Sequence, residues 1–285
     1  AGHMHDYPTE EVLAGGYLLT EWKPDMITNL LNCLTPAGVR VAVVGQQYEA
    51  VADKEEPWYG TRFHTEKIES SKLDNWAAVP LHSNLHLPEK NDFIPTDFML
   101  VARDPTPSTY PEILHRDEMG RLWYKQDEEF LLPKTCINVE LKSPIAYMDP
   151  HHANLTYMFV MLFKDQLNEY VYAAELAGLG YSLSNIKAGV TLALKGYSEK
   201  QVVLLEKIME KLASFKVDVK RFDVLKEAYA RGLKNFQAEQ PHQHAVYYNS
   251  VVLSERVWHK EELMSALERL TADEVTEFIP RLLGR

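Results

Sequence analysis

Cysteine is scarce in this sequence: only two occur, Cys33 and Cys136, far apart and flanked by apolar residues. That spacing suits neither a disulfide framework nor a cysteine-rich metal site. Both are read as reduced core thiols, in keeping with a reducing compartment and a cytoplasmic location. Basic charge is also short, with 30 Lys and Arg against 41 Asp and Glu, a net charge of −11. A chain of that sign is not built for nucleic acid or an anionic membrane surface; basic peptides or a counter-charged protein surface suit it better. No apolar run reaches the ~18 residues of a membrane span, and no signal peptide is visible. There is no G-x-S-x-G, no Walker loop and no Rossmann fingerprint. Gly178-Leu-Gly180 lacks the third glycine and follows a helical pattern, so it reads as a helix cap.

What is present supports two domains. The chain has 285 residues and an apolar fraction of 46%, enough for real cores. The most informative stretch runs from Asp165 to Gln201 and reads as helix, strand, turn, strand, helix. Leu167, Tyr170, Val171, Ala174 and Leu176 keep near-helical spacing. Tyr181-Ser-Leu-Ser and Val190-Thr-Leu-Ala-Leu alternate as strands do. Ser198 is placed as N-cap of a helix through Phe215, with Gln201 at the capping-box position.

Upstream, helices are expected over Pro8 to Trp22 and Asp25 to Leu34, then a buried strand at Val39 to Val44. Gln46 to Asn91 reads as irregular. Pro105, Pro107 and Pro111 give Arg103 to Gly120 the composition of a semi-rigid linker. Strands follow at Arg121 to Gln126 and at Cys136 to Leu141, then a helix from Pro150 through Phe163. Further helices span Val219 to Phe236, with Phe222, Leu225, Ala228, Tyr229 and Leu233 inward, and Pro241 to Arg256, Glu261 to Leu267 and Thr271 to Phe278. The fold class is α+β, helices packed on antiparallel sheets.

Chemistry is hard to place on these residues. His242 and His244, and the adjacent His151 and His152, are first-turn helix residues whose spacing points their rings apart, so neither pair shares a metal from one face. His115-Arg-Asp-Glu118 mimics half a zinc helix, but Met119 stands where the second histidine is needed. Glu169 and Glu175 lie off a common helix face and read as solvated acids. Glu227, among apolar neighbours, is the one candidate for a buried acid, although a solvated helix face is the favoured reading.

A resemblance carries the reading further. The stretches are Tyr7-Pro-Thr-Glu-Glu-Val-Leu, Val39-Arg-Val-Ala-Val-Val, Glu56-Pro-Trp-Tyr-Gly-Thr, Leu87 to Phe98, Leu167-Asn-Glu-Tyr-Val-Tyr-Ala-Ala-Glu-Leu-Ala-Gly-Leu, Lys195-Gly-Tyr, Arg221-Phe, Lys226-Glu-Ala-Tyr and Ala238-Glu-Gln-Pro-His-Gln-His-Ala. In this order they resemble the insulysin branch of the inverzincin, or pitrilysin-type, zinc metallopeptidases, which degrade peptides such as insulin. The resemblance implies four homologous α+β domains enclosing a chamber, with zinc held by H-x-x-E-H in the first. This sequence has no H-x-x-E-H, so no catalytic, cofactor-binding or metal residue carries over. Zinc is expected in the full-length parent and not in this fragment.

The resemblance also implies boundaries. Residues 1–4, Ala1-Gly-His-Met, read as a cloning scar, which leaves targeting open. Residues 5–98 would be the end of the second, incomplete domain, 99–126 the linker, and 127–285 a third, non-catalytic domain. Implied partners are peptide substrates, the remaining domains of the same chain and a second copy in a homo-oligomer, with no nucleic acid and no membrane. The alternative is a free-standing, catalytically dead peptide-binding protein of the same family; the scar and the Arg285 end favour the fragment.

Overall fold

The computed structural model describes residues 2–284, apart from the side chain of Glu169. Ala1, Arg285 and the Glu169 carboxylate therefore lie outside the described residues. The chain divides into two units, Ala1–Pro88 and Glu89–Arg285.

The first unit carries three helices, α1 (His3–Asp6), α2 (Pro24–Asn32) and α3 (Ser70–Ala78), and a two-residue ladder of β1 (Lys54–Glu55) with β2 (Arg62–Phe63). Helix α2 is where the sequence places it. Pro8 to Trp22, expected as a helix, forms only single 3-10 turns at Thr9–Glu11 and Gly15–Tyr17. Short helices depend on burying an apolar face, and here Leu13 and Trp22 are 91% and 80% exposed. Gly15-Gly16 weakens the segment further. Val39 to Val44 is likewise not a strand and not buried, with Val44 97% exposed. A strand is defined by the neighbour that pairs with it, and no described residue does so here. Among the described hydrophobic residues of the first unit only Ala52 is buried. Helix α3 lies inside a stretch read as irregular.

The second unit holds the core. Its first hairpin, β3 (Glu112–Arg116) with β4 (Arg121–Tyr124), occupies part of the stretch read as linker; Asp117 makes its turn by accepting from the N–H groups of Met119 and Gly120 at 2.8 Å each. Then come β5 (Lys134–Lys142), α4 (Pro150–Leu176), β6 (Gly180–Ile186), β7 (Gly189–Tyr197), α5 (Ser198–Ala213), α6 (Val219–Asn235), α7 (Pro241–Leu253), α8 (Lys260–Arg269) and α9 (Ala272–Leu282). The main sheet is three-stranded and antiparallel, in the order β5-β7-β6.

Register puts apolar residues opposite one another. Leu192 faces Val139 on one side and Leu183 on the other; Leu194 faces Ile137 and Tyr181. Period-2 alternation sends these to one face, where α4 and α5 cover them. The other face carries Asn138, Glu140, Ser182, Ser184 and Lys195, all exposed.

Helix α4 is the spine, 27 residues and about 40 Å long. It is one helix, not a helix ending at Phe163 with a second after it, because Lys164-Asp165-Gln166 contains no breaker. Met158, Phe159, Leu162, Phe163 and Leu167 are almost wholly buried, each contributing about 1.5–3 kcal/mol of burial. It packs on β6 along one side and on α6, α8 and α9 along another. Its end is set by Gly178, at φ +80°. The Leu179 N–H donates to the Ala174 carbonyl at 2.9 Å and the Gly178 N–H to that of Glu175 at 3.0 Å. This Schellman pair requires a left-handed residue that glycine supplies without strain.

Candidate functional site

Each end of the helix layer organises a polar cluster. At the start of α4, Asp149 accepts from the His152 backbone N–H and meets the His152 Nδ1, both at 2.8 Å. Burial pushes the Asp149 carboxyl up, but those contacts outweigh it and hold it below the ordinary carboxylate range. The His152 ring stands edge-on to Phe278 of α9, with 5.8 Å between centroids. His151 lies against Glu274 of α9 instead, at 3.5 Å. Glu274 closes a capping box with Thr271. Burial pushes its carboxyl up, and the Thr271 hydroxyl and N–H more than compensate. The two rings lie at 87° to each other. The cluster docks α9 on α4.

The remaining sequence candidates do not converge. His244 lies tilted against Phe236, 4.5 Å between ring centroids, while Gln240 and Gln243 form the capping box of α7. His115 is exposed, 2.8 Å from Asp117 in the β3–β4 turn. Among the described residues no three of His, Cys, Asp and Glu sit close enough to hold a metal ion. Asp149 and His152 pair with each other, but no third donor joins them among the described residues, so this set is too small to hold zinc. Glu227 is exposed and paired with Arg231 at 3.5 Å. Cys33 and Cys136 are free and exposed, not core thiols. Cys136 sits at an outward position of β5, and its apolar neighbours Ile137 and Val139 point the other way.

Two polar groups missed by the sequence reading do more. Asn154 is fully buried in α4. Its Nδ2 donates to the Leu263 carbonyl of α8 at 2.7 Å, and its Oδ1 accepts from the Tyr229 hydroxyl of α6 at 3.0 Å. One amide thus pins three helices. Burial holds the Tyr229 phenol protonated well above its ordinary range. The signal available in the sequence was a lone amide on the inward face of an apolar helix.

The second group is the β7–α5 junction, Tyr197-Ser-Glu-Lys-Gln. Ser198 is not the N-cap; it begins α5, and its hydroxyl lies 2.7 Å from that of Thr135 on β5. Gln201 is not in a capping box. It is 1% exposed and turns inward, donating to the carbonyls of Thr135 and Gly196. Glu199 accepts from the N–H groups of Thr96 and Asp97 at 2.6 and 2.8 Å and from the Thr96 hydroxyl at 3.2 Å. These contacts are structural: nothing in the cluster sets a base beside a nucleophile.

Comparison with known proteins places this architecture. The family model described as the middle or third domain of peptidase M16 matches residues 1–266. The chain belongs to the peptidase M16 family. It is 48% identical to insulin-degrading enzyme of Homo sapiens over 285 residues, all of this chain and 28% of that protein. Against insulin-degrading enzyme-like 1, peroxisomal, of Arabidopsis thaliana the identity is 38%, over 100% of this chain and 29% of that one. The A-factor-processing enzyme of Saccharomyces cerevisiae is 30% identical over 97% of this chain and 27% of its own length. The crystal structure of pitrilysin shares the fold, with a TM-score of 0.70 at 19% identity over 99% of this chain and 30% of that one. This M16 chain therefore spans less than a third of the curated relatives it matches.

Proposed function

We propose that this chain is the central, non-catalytic region of an insulysin-like zinc metalloendopeptidase that degrades peptides such as insulin. It supplies chamber wall and assembly surface, and does not cleave peptides alone. The observation that carries this reading is identity of 48% along its whole length to 28% of insulin-degrading enzyme, together with the match of residues 1–266 to the middle or third domain of peptidase M16. In it, residues 5–98 end the second domain, 99–126 are the linker and 127–285 belong to the third.

The geometry supports the reading in two ways. The first unit exposes Leu19, Trp22, Val44 and Trp58 at 98%, 80%, 97% and 86%, more apolar surface than a free-standing unit keeps without a partner. The remaining domains of the same chain are that partner. In the second unit, one sheet face is polar and open, and the net charge of −11 gives the region a field that draws basic peptide segments. Zinc, and the water-activating chemistry it supplies when bound, belong to the parent. In this reading the region works in the cytoplasm and meets neither nucleic acid nor membrane. Homo-oligomers are formed by the parent.

The test is reconstitution. The chain is mixed with separately expressed remaining domains, each shown to be folded, and both association and cleavage of a fluorogenic insulin-like peptide are measured. Association with recovered, chelator-sensitive cleavage is expected. Failure of folded pieces to associate or cleave overturns the assembly role and favours a free-standing peptide-binding protein. Chelator-sensitive turnover that co-purifies with this chain alone overturns its assignment as non-catalytic.

A further inference from the structure

The opening residues of the second unit are held at two points on the rest of that unit. At its root, Asn91 Nδ2 donates to the Ala173 carbonyl of α4 at 2.7 Å, and Phe93, 7% exposed, joins the core. Further along, the adjacent backbone N–H groups of Thr96 and Asp97 both donate to one oxygen of Glu199, at 2.6 and 2.8 Å. Phe98 then stands edge-on to Tyr197, with 5.4 Å between ring centroids. Pro95 has no N–H, so this piece is poorly suited to join a sheet ladder. Its donors converge on a single carboxylate instead.

We propose that residues 94–98 are a strap closed over the β7–α5 junction by the Glu199 carboxylate, able to open as a local unit while Asn91 and Phe93 keep its root fixed. This proposal is independent of the peptidase reading. Charge-assisted bonds to two successive amides are stronger than neutral ones; beside them the strap has the Thr96 hydroxyl on the same carboxylate at 3.2 Å and the edge of Phe98 on Tyr197. Opening frees Tyr197, whose ring lies under Lys134 at 5.0 Å.

The charged groups around the latch are few. Lys200 reaches Glu199 at 3.0 Å from the same helix. From the strap, Asp97 turns its carboxylate to the Met99 N–H at 2.9 Å. From β5 comes Lys134, above Tyr197. The N–H groups of Asp97 and Thr96, then Lys200, draw the Glu199 carboxyl down to about 2. Its folded value is depressed, so the latch is complete above the ordinary carboxylate range. It is lost as pH falls through about 2. The strap is therefore shut at neutral pH and opens by local fluctuation.

The experiment is amide hydrogen exchange on the full chain at neutral pH, comparing wild type with Glu199→Ala, Glu199→Gln and Lys200→Ala. Exchange at Thr96 and Asp97 should accelerate at least tenfold in Glu199→Ala and less in Glu199→Gln. Amides of α4 and β7 should keep their rates, and Lys200→Ala should leave the strap protected. Unchanged exchange at Thr96 and Asp97 in both Glu199 variants overturns the latch. Equal acceleration across α4 and β7 also overturns it, since Glu199 would then stabilise the unit as a whole. If Glu199→Ala does not fold, Glu199→Gln decides by the same criteria.

Discussion

The Asn154 amide should be the most costly polar group to disturb, and its cost can be worked out from the contacts it makes. Tyr229→Phe keeps the ring tilted against Tyr157, 4.2 Å between centroids, and removes only the hydroxyl. Asn154 Oδ1, fully buried, then has no donor. An orphaned buried acceptor costs about 1–3 kcal/mol. Asn154→Ala removes the link to Leu263 as well and leaves a small void, for about 2–4 kcal/mol. The two losses share one hydrogen bond, so the double variant should fall short of their sum by about 1 kcal/mol. Urea unfolding of all four proteins, followed by far-UV circular dichroism, measures the cycle. In a unit of this size each kcal/mol also lowers Tm by about 2–4 °C. Additivity within ~0.3–0.5 kcal/mol refutes the shared bond. A Tyr229→Phe variant as stable as wild type refutes the burial argument.

Three other outcomes are expected. Gly189 sits at φ +148°, and a Cβ there would run into the Leu141 carbonyl of β5; Gly189→Ala should therefore abolish the cooperative melt, while Gly120→Ala, with open space around it, should leave it unchanged. Asp149→Ala should cost about 1 kcal/mol in loss of the α4 cap; because the folded carboxyl is held below its ordinary value, this stabilisation is complete at neutral pH and fades as pH falls through the lowered value, so the difference from wild type should shrink in acid melts. Elemental analysis after dialysis should find no stoichiometric zinc, since the histidine pairs diverge; one tightly held zinc per chain contradicts that and directs attention to His151 and His152.

Local chemistry was readable from the sequence wherever the physics was local. Periodicity marked α2, α5, α6, α8 and α9, and Thr271 stands as the N-cap of α9 where the sequence starts that helix. Alternation marked β5, β6 and β7, and Gly178 marked the end of α4. The missing H-x-x-E-H and the order of family stretches likewise needed no coordinates. What depended on a neighbour was not readable. Val39 to Val44 has strand chemistry without a pairing strand, and Pro8 to Trp22 has helix chemistry without a surface to cover, so neither forms its element. Cys136 reads as core by its flanks, but strand alternation turns it outward. Ser198 and Gln201 look like a helix cap; instead β5 lies beside them, and its Thr135 takes both side chains. Asn154 becomes a three-helix pin, and Glu199 a clamp on residues far away in the chain, only because folding brings α6, α8 and the Thr96–Asp97 backbone against them. Sequence determined the elements and the family because dihedral preference, capping and periodicity act within a few residues. Tertiary structure alone decided burial, partners and the linkage of distant segments, because those energies exist only between surfaces the fold has brought together.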